Sequence, residues 1–207
     1  MNNGVDFFLG SNTPSGFHSF FGELYDAESD WRAFIIKGGP GTGKSGMMKK
    51  IAEECDDIGV HPERIRCASD PKSLDALIFE DAKICIADGT SPHIIEPEYP
   101  GAVENLIDLG AFWDADKLYS ERNEIMDLSL KNRSLHDRCV RFLSSAASLA
   151  RDLKRIGLGC AEKEKAERWA SRLAARRIGS PTGKIGREKH RFLDAPTPLG
   201  IYFLRTP

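Results

Sequence analysis

Ala33-Phe34-Ile35-Ile36-Lys37-Gly38-Gly39-Pro40-Gly41-Thr42-Gly43-Lys44-Ser45 is the stretch on which the reading of the fold turns. Its first four residues form a compact apolar run of strand type. The eight from Gly38 to Ser45 fit GxxxxGK(S/T) in full. From Lys44 to about residue 58 the chain is rich in helix formers, with Met47, Met48 and Ile51 at helical spacing. Strand, glycine-rich turn and helix is the context this motif requires. Glycines let the backbone fold around phosphate oxygens and aim successive N–H groups at them, and the positive end of the following helix adds to the attraction. In that pattern Gly38, Gly39, Pro40, Gly41, Thr42 and Gly43 form a phosphate cradle. Lys44 reaches the β- and γ-phosphates, and the Ser45 hydroxyl is a ligand of magnesium. ATP and magnesium are the expected ligand and cofactor.

Working outward, residues 64–68 read as a second strand, residues 73–79 as a short helix or loop, and residues 83–88 as a third strand. Strands alternating with helical stretches imply an α/β domain of three layers, with a mostly parallel sheet covered on both faces. Residues 7–30 are aromatic and turn-rich and suggest a loop leading into a short helix. The prolines at 92, 97 and 100 mark an irregular loop at the carboxyl end of the third strand, where loops tend to line sites. Residues 114–178 lack proline and carry Leu128, Leu135, Phe142 and Leu149 at sevenfold spacing. This predicts an appended long helical hairpin, broken near Gly157-Leu158-Gly159, with the stripe as its buried seam. The domain organisation is then a nucleotide-binding core over residues 1–115, the hairpin over 116–178, and a linker with the start of a second, truncated repeat over 179–207.

Asp88 closes the apolar run Ile84-Cys85-Ile86-Ala87, the form expected of an acid that holds magnesium on the strand beside the phosphate loop. The alternative is an ordinary strand-end turn. Gly89-Thr90 follows, with no adjacent glutamate to polarise water, so slow hydrolysis is expected. Asp88, Thr90 or His93 remain to position water or an acceptor, although a single histidine there also reads as a hydrogen-bonded loop residue. Asp70, in Ser69-Asp70-Pro71, is either a general base near an acceptor hydroxyl or a helix cap. Lys44, Asp88, Asp70 and His93 are therefore the candidate catalytic residues, and Ser45 and Asp88 the candidate metal ligands.

The net charge of −2 hides two unlike halves. Residues 1–115 carry 9 basic and 20 acidic side chains, while residues 116–207 carry 20 and 11. Arg168, Arg172, Arg176 and Arg177 are spaced to share helix faces, which suits either a solvated helix or contact with nucleic acid or a protein partner. One such arginine closing over a γ-phosphate is a further option. The five cysteines are widely spaced without a CxxC pair, which argues against a disulfide framework or zinc site. No apolar run approaches bilayer length and the N-terminus lacks a secretory pattern, so a cytoplasmic location without membrane contact is expected.

A repeat is also present. Residues 192–203 match residues 8–19 without gaps at Phe, Leu, Thr, Pro and Gly, five of twelve positions. In a second copy the phosphate loop would begin near position 222, beyond residue 207, so the chain reads as half of a duplicated parent, completed by a second phosphate-loop half or by a homo-oligomer.

Through the loop at 38–45 and the strand at 84–88, the chain resembles the P-loop NTPase superfamily. Thr13-Pro14-Ser15-Gly16, Ser69-Asp70-Pro71-Lys72-Ser73-Leu74-Asp75, Asp88-Gly89-Thr90-Ser91-Pro92-His93 and Tyr99-Pro100-Gly101-Ala102-Val103 look like a poorly characterised bacterial group of ATP-binding proteins with two such halves per chain. The resemblance implies ATP binding by members described as ATPases or nucleotide kinases. The expected activity is slow magnesium-dependent ATP hydrolysis. Two alternatives stand beside it: a nucleotide or small-molecule kinase with Asp70 near the acceptor, and a nucleotide-controlled module that binds nucleic acid or protein through its basic helices.

Overall fold

The computed structural model describes residues 4–178, 183, 186 and 188–204. Its elements are β1 (Asp6–Phe7), β2 (Gly10–Thr13), β3 (Gly16–Ser19), β4 (Arg32–Lys37), α1 (Lys44–Asp57), β5 (Glu63–Arg66), β6 (Leu74–Phe79), β7 (Ile84–Asp88) and β8 (Glu104–Asp108). They continue with α2 (Ala115–Ser120), α3 (Arg122–Cys160), α4 (Lys163–Arg177), β9 (Asp194–Thr197) and β10 (Gly200–Phe203). Short 3-10 turns stand at Phe21–Glu23 and Leu109–Phe112.

A six-stranded mixed sheet in the order β1-β5-β6-β7-β4-β8 forms the centre. All its pairings are parallel except those of β6, which runs antiparallel to both β5 and β7. The fold is α/β with a mostly parallel sheet, as the strand and helix pattern predicts. Residues 73–79 depart from the reading as helix or loop, because β6 occupies most of them. Leu74, Leu77 and Ile78 stand at helix-like spacing, yet Leu74 and Leu77 face α1 while Ala76 and Ile78 face the opposite side. A strand buried on both faces loses the alternation that identifies strands, and its short apolar run cannot be told from a helix by periodicity.

Two cores flank the sheet. Met48 and Ala52 of α1 pack on Ile36, Leu74, Leu77 and Ile86. The other face is closed by Leu9, Phe21, Leu24 and Trp31 over Ala33, Ile65, Ala76 and Cys85. The second cover is therefore the aromatic N-terminal segment and not a helix, because β5, β6 and β7 follow one another through turns that leave no chain for one. Cys85 is a core residue, as expected of a thiol in an apolar run. Glu104, fully buried on β8, accepts hydrogen bonds from Tyr25 Oη at 3.0 Å and Tyr99 N at 2.9 Å, which ties the N-terminal segment to the sheet edge.

The helical region forms where expected, but not as a closed hairpin. Leu128, Leu135, Phe142 and Leu149 are exposed, so among the described residues no antiparallel partner covers them. Gly157 and Gly159 do not break α3, which continues to Cys160; the change of direction falls at Ala161 and Glu162. Isolated glycines cost a helix about 1 kcal/mol each, too little to end one of this length.

The repeat is structural. Residues 10–13 and 16–19 form the β2–β3 hairpin, and the equivalent residues 184 positions on form β9–β10 in the same register. Thr13 Oγ1 donates to Gly16 O at 2.7 Å, and Thr197 Oγ1 to Gly200 O at 2.9 Å. Phe20 N donates to Leu9 O, and Leu204 N to Leu193 O, again at equivalent positions. Phe8 and Phe192 then exchange both backbone hydrogen bonds, at 3.0 and 2.9 Å, which relates the copies by a local two-fold axis. The segment expected as the start of a second, truncated repeat is thus docked on the core, with Ala195 buried against Phe8 and Ala68. Most of the expected linker, residues 179–191, lies outside the described residues.

The copies differ in what covers them: Leu9 is fully buried, whereas its counterpart Leu193 is 53% exposed. Leu9→Ala is expected to destabilise the domain by about 3 kcal/mol and Leu193→Ala by less than about 1 kcal/mol, measured by urea denaturation.

Candidate functional site

The site begins where β4 ends. Backbone at Gly41 and Gly43 takes φ of 78° and 92°, the left-handed region that glycine enters at little cost. A Cβ at either position would meet nothing within 4 Å, so these glycines answer a backbone demand rather than crowding. The resulting turn delivers Gly43 as the residue before α1. Among the described residues, no protein acceptor receives the backbone N–H groups of Gly41, Thr42, Gly43, Lys44 or Ser45. A row of free N–H groups at the start of a helix of 14 residues is an anion-binding arrangement.

Lys44 is buried and curls back over this turn. Its Nζ donates to Gly38 O at 2.8 Å and Gly39 O at 2.9 Å and lies 3.6 Å from Asp88 Oδ2. Thr42 Oγ1 closes the turn on Gly39 O at 2.8 Å. Asp88 arrives from β7, which pairs directly with β4 so that Ile36 stands opposite Asp88. Thr90 N and Thr90 Oγ1 both donate to Asp88 Oδ1, at 2.9 and 2.6 Å. Asp88 thus forms a strand-end turn and at the same time stands beside the loop at 38–45. Ser45 Oγ accepts from Leu74 N at 2.9 Å, which fixes the hydroxyl next to the start of β6.

That bond brings in Asp75, a residue the sequence reading passes over. Ala76 stands opposite Ala87, so Asp75 is the neighbour of Asp88 across the β6–β7 pair, on the face that packs on α1. Asp75 is buried, and burial pushes its carboxyl up to about 7, helped by the charges of Asp88 and Asp70 and opposed by the Cys67 thiol and Lys44. The signal was an acid inside an apolar run, Leu74-Asp75-Ala76-Leu77; once that run is known to be a strand beside β7, it points at the site.

Asp70 is exposed in the turn between β5 and β6. Its carboxylate accepts from Ser73 Oγ at 2.6 Å and Lys72 N at 3.1 Å, and these bonds, with the nearby lysines, hold it below the usual carboxylate range. It caps the turn between β5 and β6, since no helix follows. His93 is placed differently from a hydrogen-bonded loop histidine. Among the described residues neither ring nitrogen has a partner, and the ring is stacked on Phe21 at 4.0 Å with 6° between planes. Burial lowers its pKa to about 4, with Lys44 adding to the effect and Asp88 opposing it, so the imidazole is neutral at pH 7. A cavity of about 760 Å³ opens beside it, walled by Phe21, Tyr25, Asp26, Glu28, Glu96 and Glu98.

Ser45 and Asp88 have the oxygen chemistry magnesium prefers, and the N–H row with Lys44 suits a polyphosphate. The residues present fit both groups. Arg168, Arg172, Arg176 and Arg177 lie on α4; among the described residues none bonds to the loop at 38–45, and Arg168 instead faces Glu164 at 3.6 Å. No described helix is long and apolar enough to cross a membrane. Comparison with protein-family models, with curated proteins and with solved structures finds no match.

The raised carboxyl of Asp75 has a consequence for stability. Between about pH 4 and 7 the folded chain holds a proton at Asp75 that the unfolded chain has released, so this group's contribution to stability falls as pH rises through that window and is flat above it. Asp75→Asn is expected to be more stable than wild type at pH 8 by about 2–4 kcal/mol. The difference should vanish near pH 4 in chemical denaturation.

Proposed function

We propose that this chain is a P-loop protein that binds ATP with magnesium and hydrolyses it slowly. The observation that carries the reading is the loop from Gly38 to Ser45: free N–H groups at the start of α1, with the Lys44 ammonium buried in the mouth and Asp88 across from it. In this reading the N–H groups of Gly41 to Ser45 receive phosphate oxygens. Lys44 turns from the carbonyls of Gly38 and Gly39 toward the β- and γ-phosphates. Ser45 Oγ and Asp88 hold magnesium, which supplies positive charge against the developing negative charge of the phosphoryl group. Asp88 has one oxygen committed to Thr90, and Gly89-Thr90 follows it in place of a glutamate that could orient water. That supports a slow reaction.

A second reading is phosphoryl transfer to an acceptor, and the cavity beside His93 favours it. An acceptor there would stand next to a buried neutral imidazole with two open nitrogens, while Asp70, exposed in the turn between β5 and β6, does not line that cavity. Binding of nucleic acid or protein through the exposed basic helix α4 is a separate proposal, tested by steep loss of binding as salt is added.

In calorimetry, Lys44→Ala is expected to weaken magnesium-ATP binding at least about 30-fold while leaving the unfolding transition in place. Unchanged affinity would remove the reading. With γ-labelled ATP, Asp88→Asn is expected to slow magnesium-dependent release of phosphate at least about tenfold, with a smaller loss of metal-free nucleotide binding. Label that appears on an added acceptor instead of as free phosphate would favour the kinase.

A further inference from the structure

α3 spans 39 residues, and none of them is buried. Its apolar residues nevertheless follow a heptad through the whole helix. One set of core positions holds Ile125, Asn132, Cys139, Ala146, Leu153 and Cys160; the other, three residues on, holds Leu128, Leu135, Phe142, Leu149 and Ile156. The seven large apolar members are between 42% and 71% exposed. A repeat of seven sustained over five turns of the pattern is the signature of a supercoiled seam.

We propose that α3 pairs with α3 of a second copy of this chain as a parallel, in-register, two-stranded coiled coil. The size of the surface points to a second long helix. The seam runs about 54 Å, whereas α4 is 15 residues and about 22 Å long and cannot cover half of it. Closing seven large apolar side chains per chain, at about 100 Å² each, hides on the order of 1,400 Å² across the pair, the size of a specific interface.

The direction follows from Asn132 and from where the domain sits. In a parallel pair Asn132 meets its own copy, and each carboxamide can donate to the other. Reversing one helix sets Asn132 against an apolar residue and leaves the amide unsatisfied in the seam. Leucine-rich positions in the second set, Leu128, Leu135 and Leu149, suit two strands. Val140, Leu143 and Ala147 are the half-buried flank of α3, which meets β2. In a parallel pair the two domains fall on opposite sides of the coil. In an antiparallel pair they would converge on one side near its middle.

The inference is independent of the nucleotide site, and its test uses the whole chain. Sedimentation at about 50 µM is expected to give a dimer, and Leu135→Glu with Phe142→Glu to weaken dimerisation at least about 100-fold. Their unfolding transition should match that of wild type diluted until it is monomeric, since both residues are exposed in the single chain. Leu135→Ala with Phe142→Ala, which keeps helix propensity, gives the same direction of change if the glutamates unwind α3. Mild oxidation is expected to join the wild-type dimer through Cys139 and Cys160, which face their own copies in this register, and not to join Cys139→Ser with Cys160→Ser. A wild-type monomer, a dimer indifferent to residues 135 and 142, or a dimer that oxidation does not link would each overturn the proposal.

Discussion

The ammonium of Lys44 is held by two carbonyls of the turn it follows and faces Asp88 from the next strand. Much of the molecule serves that meeting. The left-handed backbone at Gly41 and Gly43 turns the chain from β4 into α1, so that Lys44 is the first residue of the helix and its stem lies under the turn. The direct pairing of β4 with β7 puts Asp88 level with Ile36, one residue before the end of β4. Met48 and Ala52, one and two turns further along α1, anchor the helix to the sheet through Ile36, Leu77 and Ile86.

From this arrangement the surroundings acquire their electrostatics. Asp75 and Asp88 are neighbours on adjacent strands, the first buried and the second half-buried, and one lysine cannot neutralise both carboxylates equally. Asp88 has the partner and the two donors from Thr90; Asp75 is left to burial and keeps its proton until about pH 7. His93 is also buried without partners, and in its case the neutral form is the one without the proton. Below about pH 7 two uncharged titratable groups therefore flank the Lys44–Asp88 ion pair.

What was legible in the sequence tracks how local its cause is. The loop at 38–45 needs only its glycines, its lysine and the run before it, and β4, α1 and β7 lie where their patterns place them. Asp88 was readable because an acid after four apolar residues marks a strand end. β6 was not readable, since burial on both faces erases alternation, and with β6 went Asp75. β8 was missed because Glu104, its buried residue, is polar and is satisfied by Tyr25 and Tyr99 from distant sequence. The N-terminal cover was taken for a loop since its order comes from aromatic packing on the sheet and from the Phe8–Phe192 bridge, neither of which has a local period. The sevenfold stripe on α3 was legible, but its burial in a hairpin was not borne out, since Leu128, Leu135, Phe142 and Leu149 are exposed; a heptad specifies the geometry of contact and not which helix supplies it.

The central claim is that the backbone of this loop receives phosphate. The most direct measurement is a titration of the ¹⁵N-labelled chain with magnesium-ADP, followed at the assigned amides. The account predicts that Gly41, Thr42, Gly43, Lys44 and Ser45 show the largest saturable shifts and that Lys44→Ala removes them. Saturable binding that leaves these five amides unmoved and shifts others would contradict it.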